Sequence, residues 1–369
     1  MYLNILKSNT LFLKNKIKII IEYYRKKKGA RIGWDIRYSK IKSMYPNYFK
    51  SIGAEIEKEH AEYWSFFSKT PNFATLRLCN AISKTEAKEI VPEEIFVCDI
   101  EPTLNYDDRV SFFCNKSFNN LLFKKGLFPV DYFHKIDGLY YDSVLDFVDN
   151  VEYFEKIKSL DFPLIIKPNL DSYGGIGVKV VHDSDELLKE SETRWNFILQ
   201  EKILPHPFFN KFNKVCINTI RIYVYRSVVT EEYVVLNAAL RMGKGGSLDN
   251  ETSGGIVSFI RPDGKLNDFA VDKDGTKYDF HPDTGFQFNE EIPFYSDLVD
   301  VSIALAKKVF YCRIIGFDAV LDNNGNWRFL EYNPLGHTIR FAQYAGYPFF
   351  GKYTDEVVNY CKINHWTLK

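Results

Sequence analysis

The sequence predicts an α+β protein with mostly antiparallel sheets and a mainly helical N-terminal region. Residues up to about Asp108 show long stretches of helical periodicity, of which Tyr48–Phe67 is one. From Pro163 onward, short apolar segments that suit strands alternate irregularly with helical segments. This order lacks the regular strand–helix alternation of a doubly wound sheet, so it favours antiparallel pairing.

The individual elements follow from local signals along the chain. Ile95–Ile100 is a candidate strand or extended segment, and a helix is expected over Lys116–Lys125, ending near Gly126. Further helices are expected at Asp185–Glu190 and Tyr295–Tyr311. Strands are expected at Pro163–Lys167, Val178–Val181, Phe197–Gln200, Ile217–Tyr225, Val234–Leu240 and Gly255–Ile260.

Composition excludes several classes of protein. The 369 residues, 46% of them hydrophobic, can bury a full core and suggest two or three domains. Lysine plus arginine equals aspartate plus glutamate at 48 each, so net charge gives no reason to expect a nucleic-acid partner. The six cysteines are scattered without a Cys-x-x-Cys pair, which predicts no zinc site or disulfide framework and favours a cytoplasmic location.

The N-terminal segment is basic and amphipathic. Lysines alternate with apolar residues over Leu11–Tyr24, and the cluster Arg25–Lys28 follows. No apolar run reaches the length needed to span a membrane, and no signal-peptide cleavage site follows an uninterrupted apolar core. Two interpretations stay open. The helix packs on its own domain, or it rests as a peripheral contact on the inner face of a membrane.

A β-hairpin is predicted near the C-terminal end of the chain. The strand-like runs Phe317–Asp322 and Trp327–Tyr332 flank the polar loop 323–326. If this loop closes the turn, Asp322 lies opposite Trp327.

The same register sets Asp318 directly opposite Glu331. Because strand side chains alternate between faces, Asn333 shares the face of Glu331. The three residues would supply only hard oxygen ligands, which suit Mg²⁺ with water and substrate phosphates completing the coordination. The alternative is a solvated hairpin face with ordinary surface acids.

A lysine and a glycine-rich loop predict an anion site. Lys167 ends an apolar strand, and the segment that follows from Asn169 contains Gly174, Gly175 and Gly177. Glycines let a loop turn backbone N–H groups onto phosphate oxygens, and the lysine adds a point charge. The alternative is a plain glycine-rich hairpin turn beside a surface lysine.

Gln200, Glu201, Lys202 and Ile203 end another strand just before a proline-marked turn. Such a segment can offer backbone donors and acceptors to an adenine edge, with Glu201 accepting from the exocyclic amine. By itself it is equally an ordinary strand end.

Taken in chain order, these elements resemble the ATP-grasp superfamily from about Phe112 to about Lys362. The resemblance depends on the ordered set: a helix-opening lysine at 116, a lysine before a glycine loop, a Gln-Glu-Lys-Ile hinge and the acidic hairpin. It implies that Lys116 and Lys167 contact the phosphates of ATP, with the glycine loop closing over them. It also implies that residues 200–203 hold adenine.

The same resemblance implies that Asp318, Glu331 and Asn333 carry Mg²⁺. It further implies two α+β lobes that clasp ATP, with a helical region at 1–111 and lobes at 112–203 and 204–369.

A narrower similarity involves three segments between the hinge and the hairpin. Asn218–Ile222, Leu240–Gly243 and Asp249–Gly255 are similar to the sugar-transfer-associated ATP-grasp enzymes, which are linked to bacterial surface polysaccharide synthesis. The chain departs from that pattern at Phe317, where a tryptophan is expected, and at Tyr332, where glycine is common.

Two arginines in these segments, together with Lys167, are candidate catalytic residues. Arg221 lies in an alternating strand and shares the face of Thr219 and Tyr223. With Arg241 it can form a cationic pair around a γ-phosphate or a substrate carboxylate, because guanidinium groups give bidentate contacts. The alternative is a surface arginine on a half-buried sheet.

Substrate recognition is predicted at Asn250, His337 and Arg340. The loop Gly243–Ser247, together with Asp249 and Asn250, predicts a mobile segment near the acceptor, or a solvent-exposed hairpin connection. His337 and Arg340 follow the hairpin and are candidates for binding a substrate carboxylate. A single histidine in such a place is also commonly structural.

The resemblance implies an ATP- and Mg²⁺-dependent ligase. A substrate carboxylate attacks the γ-phosphate to form an acylphosphate, and an amine then displaces phosphate to give an amide. The expected partners are sugar-linked small molecules bearing a carboxylate or an amine, such as a uronic acid in a capsule or O-antigen precursor. Two alternatives stay open: an ATP-grasp kinase acting on a glycan-related substrate, and a non-catalytic nucleotide-binding scaffold in a glycan assembly complex.

Overall fold

The fold is that of a computed structural model of the chain. The structure describes the backbone of residues 2–105, 108–170, 175–214, 216–246, 249 and 254–368, and it describes side chains from residue 14 onward except at 108. The chain divides into two compact units. The helical unit comprises residues 1–106, 226–232 and 335–369, and the sheet unit comprises residues 107–225 and 233–334.

Elements are numbered along the described chain. The α-helices are α1 Tyr2–Met44, α2 Ala54–Trp64, α3 Ala74–Ser83, α4 Glu93–Ile95, α5 Glu101–Asn105, α6 Asn119–Leu122, α7 Asn150–Ile157, α8 Ser184–Thr193, α9 Tyr295–Ala306, α10 Arg340–Tyr344 and α11 Thr354–Ile363. The strands are β1 Asp131–Ile136, β2 Leu139–Asp142, β3 Phe147–Val148, β4 Leu164–Lys167, β5 Lys179–Val181, β6 Phe197–Glu201, β7 Thr219–Arg226, β8 Tyr233–Met242, β9 Ile256–Ile260, β10 Ala270–Val271, β11 Lys277–Tyr278, β12 Ile314–Leu321 and β13 Trp327–Asn333.

The helical unit forms around the long helix α1. Residues of α1 spaced three or four apart point into the unit: Ile19 and Tyr23 are half-buried, and Tyr38 and Ile41 are buried. This spacing places them on one face of the helix. No helix in the described part of the chain is long and apolar enough to cross a membrane.

The C-terminal segment belongs to the helical unit. The Gln343 side chain accepts a hydrogen bond of 2.7 Å from the Val91 amide and donates one of 3.1 Å to the Val91 carbonyl. Trp366 Nε1 donates to the Cys98 carbonyl at 2.8 Å. The predicted lobe 204–369 is therefore divided in the structure, because residues 335–369 group with the helical unit.

The sheet unit contains two antiparallel sheets. The six-stranded sheet has the order β3-β2-β1-β6-β4-β5, and the seven-stranded sheet has the order β11-β10-β9-β8-β7-β12-β13. Each sheet has its own apolar cluster. The cluster of the first includes Phe133, Tyr153 and Phe197, and that of the second includes Phe317 and Phe329.

The β12–β13 hairpin contains a bulge. Leu321 lies opposite Trp327 and Ala319 opposite Phe329, but the next pair is Asp318 opposite Glu331. One extra residue, Leu330, therefore lies on β13 between the two registers. The predicted pairing of Asp322 with Trp327 is off by one residue, and the bulge restores the predicted pairing of Asp318 with Glu331.

The predicted fold class is confirmed: helices and antiparallel sheets are mixed, and the N-terminal region is mostly helical. One local prediction is wrong. Ile95–Ile100, a candidate strand, is helical, with α4 running into a π-helix at Phe96–Ile100. Of these residues only Val97 is not buried, and all except Asp99 are apolar, so burial on all sides concealed the helical period.

Three predicted helices are shorter than expected, and one of them is α9, which ends at Ala306 and not at Tyr311. The stretch Tyr48–Phe67 contains a break at Gly53, which has φ +133°, and α2 begins only after it. The stretch Lys116–Lys125 consists of a 3₁₀ turn at Lys116–Phe118 followed by α6, which ends at Leu122.

Candidate functional site

Asp318 binds two arginines in the sheet unit. It lies on β12 between Arg221 of β7 and Glu331 of β13, so these residues form a row across three neighbouring strands. Arg221 Nη2 donates to Asp318 Oδ2 at 2.9 Å, and its Nε donates to Oδ1. Arg241 Nη1 lies 3.2 and 3.3 Å from the two oxygens of the same carboxylate.

A second carboxylate, Asp249, holds the other side of Arg241. Arg241 Nη2 donates to Asp249 Oδ2 at 3.3 Å, and the Thr219 hydroxyl donates to the same oxygen. Gly255 lets the Asp249 backbone come close, because a Cβ at residue 255 would lie 2.5 Å from the Asp249 carbonyl oxygen. Asp249 therefore contacts both Thr219 and Arg241.

Burial and charge act in opposite directions on this cluster. Burial alone raises the pKa of Asp318, but the guanidinium groups of Arg221 and Arg241 outweigh it and hold that pKa below its ordinary value. Burial likewise acts to lower the pKa of Arg221, and Asp318 reverses the effect, so the pKa of Arg221 is raised. Asp318, Arg221 and Arg241 are therefore all charged at neutral pH.

Two lysines meet strand β13 beside this row. Lys116 Nζ lies 3.5 Å from Glu331 Oε2, and Lys167 Nζ donates to the Leu330 carbonyl at 3.1 Å. Burial lowers the pKa of Lys167 to about 8, the Glu331 carboxylate opposes the shift, and Lys116 adds to it. The structure thus brings Lys116, Lys167 and Glu331 together.

The predicted metal ligands have the chemistry that Mg²⁺ requires. Asp318 and Glu331 face each other across the hairpin, and Asn333 lies two residues beyond Glu331 on β13, so the set offers carboxylate and amide oxygens. Among the described residues, no group of three or more His, Cys, Asp or Glu is placed to hold a metal ion. An ion held by these residues would therefore take its other ligands from water or phosphate.

Part of the glycine loop lies outside the described residues. Gly174 is one of these, whereas Gly175 and Gly177 form an exposed turn with φ of +79° and +76°. A Cβ at residue 177 would lie 2.9 Å from Pro168 Cγ, so this position needs glycine for both space and backbone conformation. The turn lies between β4, which ends at Lys167, and β5, and these two strands pair antiparallel.

The predicted hinge lies at the end of β6, and the side chains of Gln200 and Glu201 have protein partners. Gln200 Nε2 donates to Asp131 Oδ1 at 2.7 Å. Glu201 Oε1 accepts from the Val130 amide at 2.9 Å and from Arg328. An adenine amine would therefore share the Glu201 carboxylate with these two donors. Of the other hinge residues, Lys202 is exposed and Ile203 is buried.

The predicted substrate residues are not all in the sheet unit. Asn250 lies outside the described residues. His337 and Arg340 belong to the helical unit, where both are buried. His337 Nδ1 lies 2.7 Å from Glu101 Oε1, and Arg340 Nε lies 3.8 Å from Glu93 Oε1. Their role in substrate binding stays a prediction.

Sequence reasoning did not single out Asp131 or Arg328, and it gave Asp249 only as part of the predicted loop near the acceptor. The sequence signal for Asp249 is its position just after the Lys-Gly-Gly loop. Its partner Thr219 shares the strand face of Arg221. Asp131 lies 3.7 Å from His134 Nε2 in the buried part of β1, and burial raises its pKa. Asp131 is revealed only by the pairing of β1 with β6. Arg328 is revealed only by the contact of β13 with Glu201 of the hinge.

The model of one protein family matches the central part of the chain. Residues 186–350 match the model of the sugar-transfer associated ATP-grasp family. The match covers β6 to β13, including Arg221, Arg241, Asp318 and Glu331. It confirms the resemblance predicted from the sequence. No curated protein matches the chain.

The solved structures similar to this chain include two ligases and a biotin carboxylase domain. D-alanine–D-alanine ligase from Bacillus anthracis is 17% identical, with 68% of each chain covered and a TM-score of 0.40. The ATP-grasp ligase PsnB, complexed with a phosphomimetic variant of its minimal precursor, Mg and ADP, is 16% identical, with 70% of this chain and 62% of that chain covered and a TM-score of 0.39.

The biotin carboxylase domain of 2-oxoglutarate carboxylase from Hydrogenobacter thermophilus, in complex with MgADP, ADP and bicarbonate, is 13% identical. The match covers 63% of this chain and 44% of that chain, with a TM-score of 0.38. The chain thus spans less than two thirds of the length of this structure and of PsnB.

Proposed function

We propose that the chain is an ATP- and Mg²⁺-dependent ligase that joins a carboxylate to an amine and releases ADP and phosphate. The proposal depends on one observation, the row of Arg221, Asp318 and Glu331 across three neighbouring strands. Arg241 binds the row at Asp318, and Lys116 binds it at Glu331. The family match over 186–350 supports the same class.

The charges suit a phosphate-transfer site. Four cationic side chains, Lys116, Lys167, Arg221 and Arg241, surround the carboxylates of Asp318 and Glu331. Phosphoryl transfer requires little covalent chemistry from the protein, so catalysis consists mainly of alignment and charge neutralisation.

The residues that would bind ATP and Mg²⁺ have the following proposed roles. Lys116 and Lys167 bind phosphate oxygens of ATP as point charges. Asp318, Glu331 and Asn333 would hold Mg²⁺, which supplies further neutralisation of phosphate charge when bound. Gly175 and Gly177 close the glycine loop over the phosphates, and residues 200–203 hold adenine.

Arg221 and Arg241 bind the transferring phosphoryl group or the substrate carboxylate. A guanidinium group has five N–H donors, and the Asp318 and Asp249 contacts use only some of them. Donors that are already fixed by buried carboxylates need no reorganisation when charge develops in the transition state.

The proposed reaction has two steps. A carboxylate oxygen of the substrate attacks the γ-phosphorus, the bond from that phosphorus to the ADP oxygen breaks, and ADP leaves. An amine then attacks the acyl carbon, the carbon–oxygen bond to phosphate breaks, and the amine loses a proton. The products are an amide, ADP and phosphate.

The proposed substrates are sugar-linked small molecules, one bearing a carboxylate and the other an amine, in surface polysaccharide synthesis. The family description, sugar-transfer associated, supports this class. We place the enzyme in the cytoplasm, where ATP is available; none of the six cysteines, all described, forms a disulfide.

The test follows the fate of ATP with candidate uronic acids and amines. ADP release should require both, and ¹⁸O in the substrate carboxylate should appear in the released phosphate. Hydroxylamine should trap the acylphosphate as a hydroxamate, and Arg221→Ala should lose this trapping while still binding ATP. Phosphorylation of an alcohol without transfer of label would identify a kinase. Formation of AMP would exclude both the ligase and the kinase.

A further inference from the structure

The first half of α1 exposes a stripe of large apolar side chains. Ile17, Ile20, Ile21 and Tyr24 are 50, 46, 62 and 66% exposed. Their spacing places them on one side of the helix, away from the inward-facing Tyr23. We refer to these four residues as the α1 stripe.

Cations flank the α1 stripe. Lys14, Lys18, Arg25 and Lys28 are exposed on the same segment. Between residues 14 and 28 the sequence has a single acidic residue, Glu22. The surface is therefore both apolar and strongly basic, in a chain whose net charge is zero.

Buried contacts fix the rotation of α1. The Tyr23 hydroxyl donates to Asp99 Oδ1 at 2.6 Å, and Lys27 Nζ lies 3.5 Å from Asp99 Oδ2. The Asp99 side chain is buried and also meets His365 Nε2 at 3.1 Å. Turning the α1 stripe inward would break these contacts, so the helix packs on its unit and still exposes an apolar face.

We propose that residues 14–28 of α1 lie on an anionic membrane surface. The isoleucines enter the boundary between headgroups and acyl chains, and the aromatic ring of Tyr24 lies at the headgroup level. The long lysine and arginine side chains extend to the lipid phosphates. A second copy of this chain fits poorly, because it would bring two basic helices together.

This inference does not depend on the proposed ligase activity, and its test uses no nucleotide. The full chain is mixed with vesicles of phosphatidylcholine alone or with about one third phosphatidylglycerol, and bound protein is separated by flotation. We expect binding to the anionic vesicles only, and we expect it to weaken with added salt because the Debye length shortens.

Two double variants separate the apolar from the electrostatic part. Ile20→Ser with Ile21→Ser should weaken partitioning about tenfold through lost apolar burial. Lys14→Gln with Lys18→Gln should weaken it roughly fivefold for each charge removed. Ile363→Ser, at a side chain 75% exposed in the same unit, and Lys42→Gln, at the end of α1, are the matched controls and should bind like wild type.

Circular dichroism should show that all variants keep the helical content of wild type. Lack of binding to anionic vesicles by the wild-type chain would overturn the proposal, and so would equal losses in the stripe variants and the controls. A concentration-dependent dimer that only the stripe variants abolish, without vesicle binding, would instead assign the face to a second copy.

Discussion

Lys167 Nζ on β4 donates a hydrogen bond of 3.1 Å to the carbonyl oxygen of Leu330 on β13. Leu330 is the extra residue of the β12–β13 bulge, since Asp318 pairs with Glu331 and Ala319 with Phe329. A bulge leaves its extra residue outside the regular ladder. The same irregularity thus offers a carbonyl to Lys167 of the six-stranded sheet and sets Asp318 opposite Glu331.

Glu331→Gln tests the hairpin as a metal and phosphate site. Glu331 is partly exposed, so the variant should stay folded and lose about 100-fold or more in ADP formation, since it removes one preorganised charge. Glu290→Gln is the matched control, because Glu290 also pairs with a lysine of the sheet unit, Lys211, at 2.9 Å. Near wild-type turnover of the Glu331 variant at saturating Mg²⁺ would contradict the role of Glu331.

Asp318→Asn should affect stability as well as activity. The variant leaves Arg221 and Arg241 buried beside a neutral side chain, so we expect the free energy of unfolding to fall by about 3 kcal/mol. Urea denaturation measures this change. The control is Asp263→Asn, since the exposed Asp263 carboxylate lies 3.8 Å from Arg261 and should contribute less than about 1 kcal/mol. Similar losses of unfolding free energy in the two variants would contradict the role of Asp318 as the buried partner of Arg221 and Arg241.

ATP affinity should depend on the charge of Lys167. Lys167→Ala should weaken ATP binding about tenfold or more and leave adenosine binding unchanged, because the ammonium group meets phosphate and not base. Calorimetry measures both ligands. Lys179→Ala, at an exposed lysine on the neighbouring strand β5, is the control. Equal losses for ATP and adenosine would place Lys167 away from the phosphates.

The same lysine predicts a pH dependence. Burial lowers the pKa of Lys167 to about 8, with Glu331, Lys116 and Asp131 as its charged neighbours. Below about pH 8 the group is charged and binds phosphate; above it, ATP binding must take up a proton, so affinity should fall as pH rises. Lys167→Arg keeps its charge at high pH, and its affinity should stay flat from pH 7 to 9.5. A parallel fall in both proteins would assign the pH dependence to another group.

Asp249 is expected to act as a positioning residue through Arg241. Asp249→Ala should lower kcat about tenfold with little change in the KM for ATP, because Arg241 loses one of its two carboxylates. Gly255→Ala should give the same split, since its Cβ would lie 2.5 Å from the Asp249 carbonyl oxygen. Gly33→Ala, which meets nothing within 4 Å, should leave both constants unchanged. A rise in KM alone would contradict this role.

Elements whose signals are local can be predicted from the amino-acid sequence. Alternating side chains and β-branched residues predicted the strands that carry Arg221, Lys167 and Asp318, because strand periodicity depends only on neighbours along the chain. The glycine turn after Lys167 was equally readable. The segment Ile95–Ile100 was not, since burial on all sides removes the pattern that distinguishes helix from strand.

The contacts between residues far apart in the chain follow only from the tertiary structure. The pairing of β7 with β12 puts Arg221 on Asp318, and the bulge at Leu330, not the turn, fixes the position of Glu331. The buried Asp99 contacts of Tyr23 and Lys27 decide which face of α1 is exposed. These choices depend on packing and on pairing energies between segments far apart in the chain, and local side-chain preferences do not encode them.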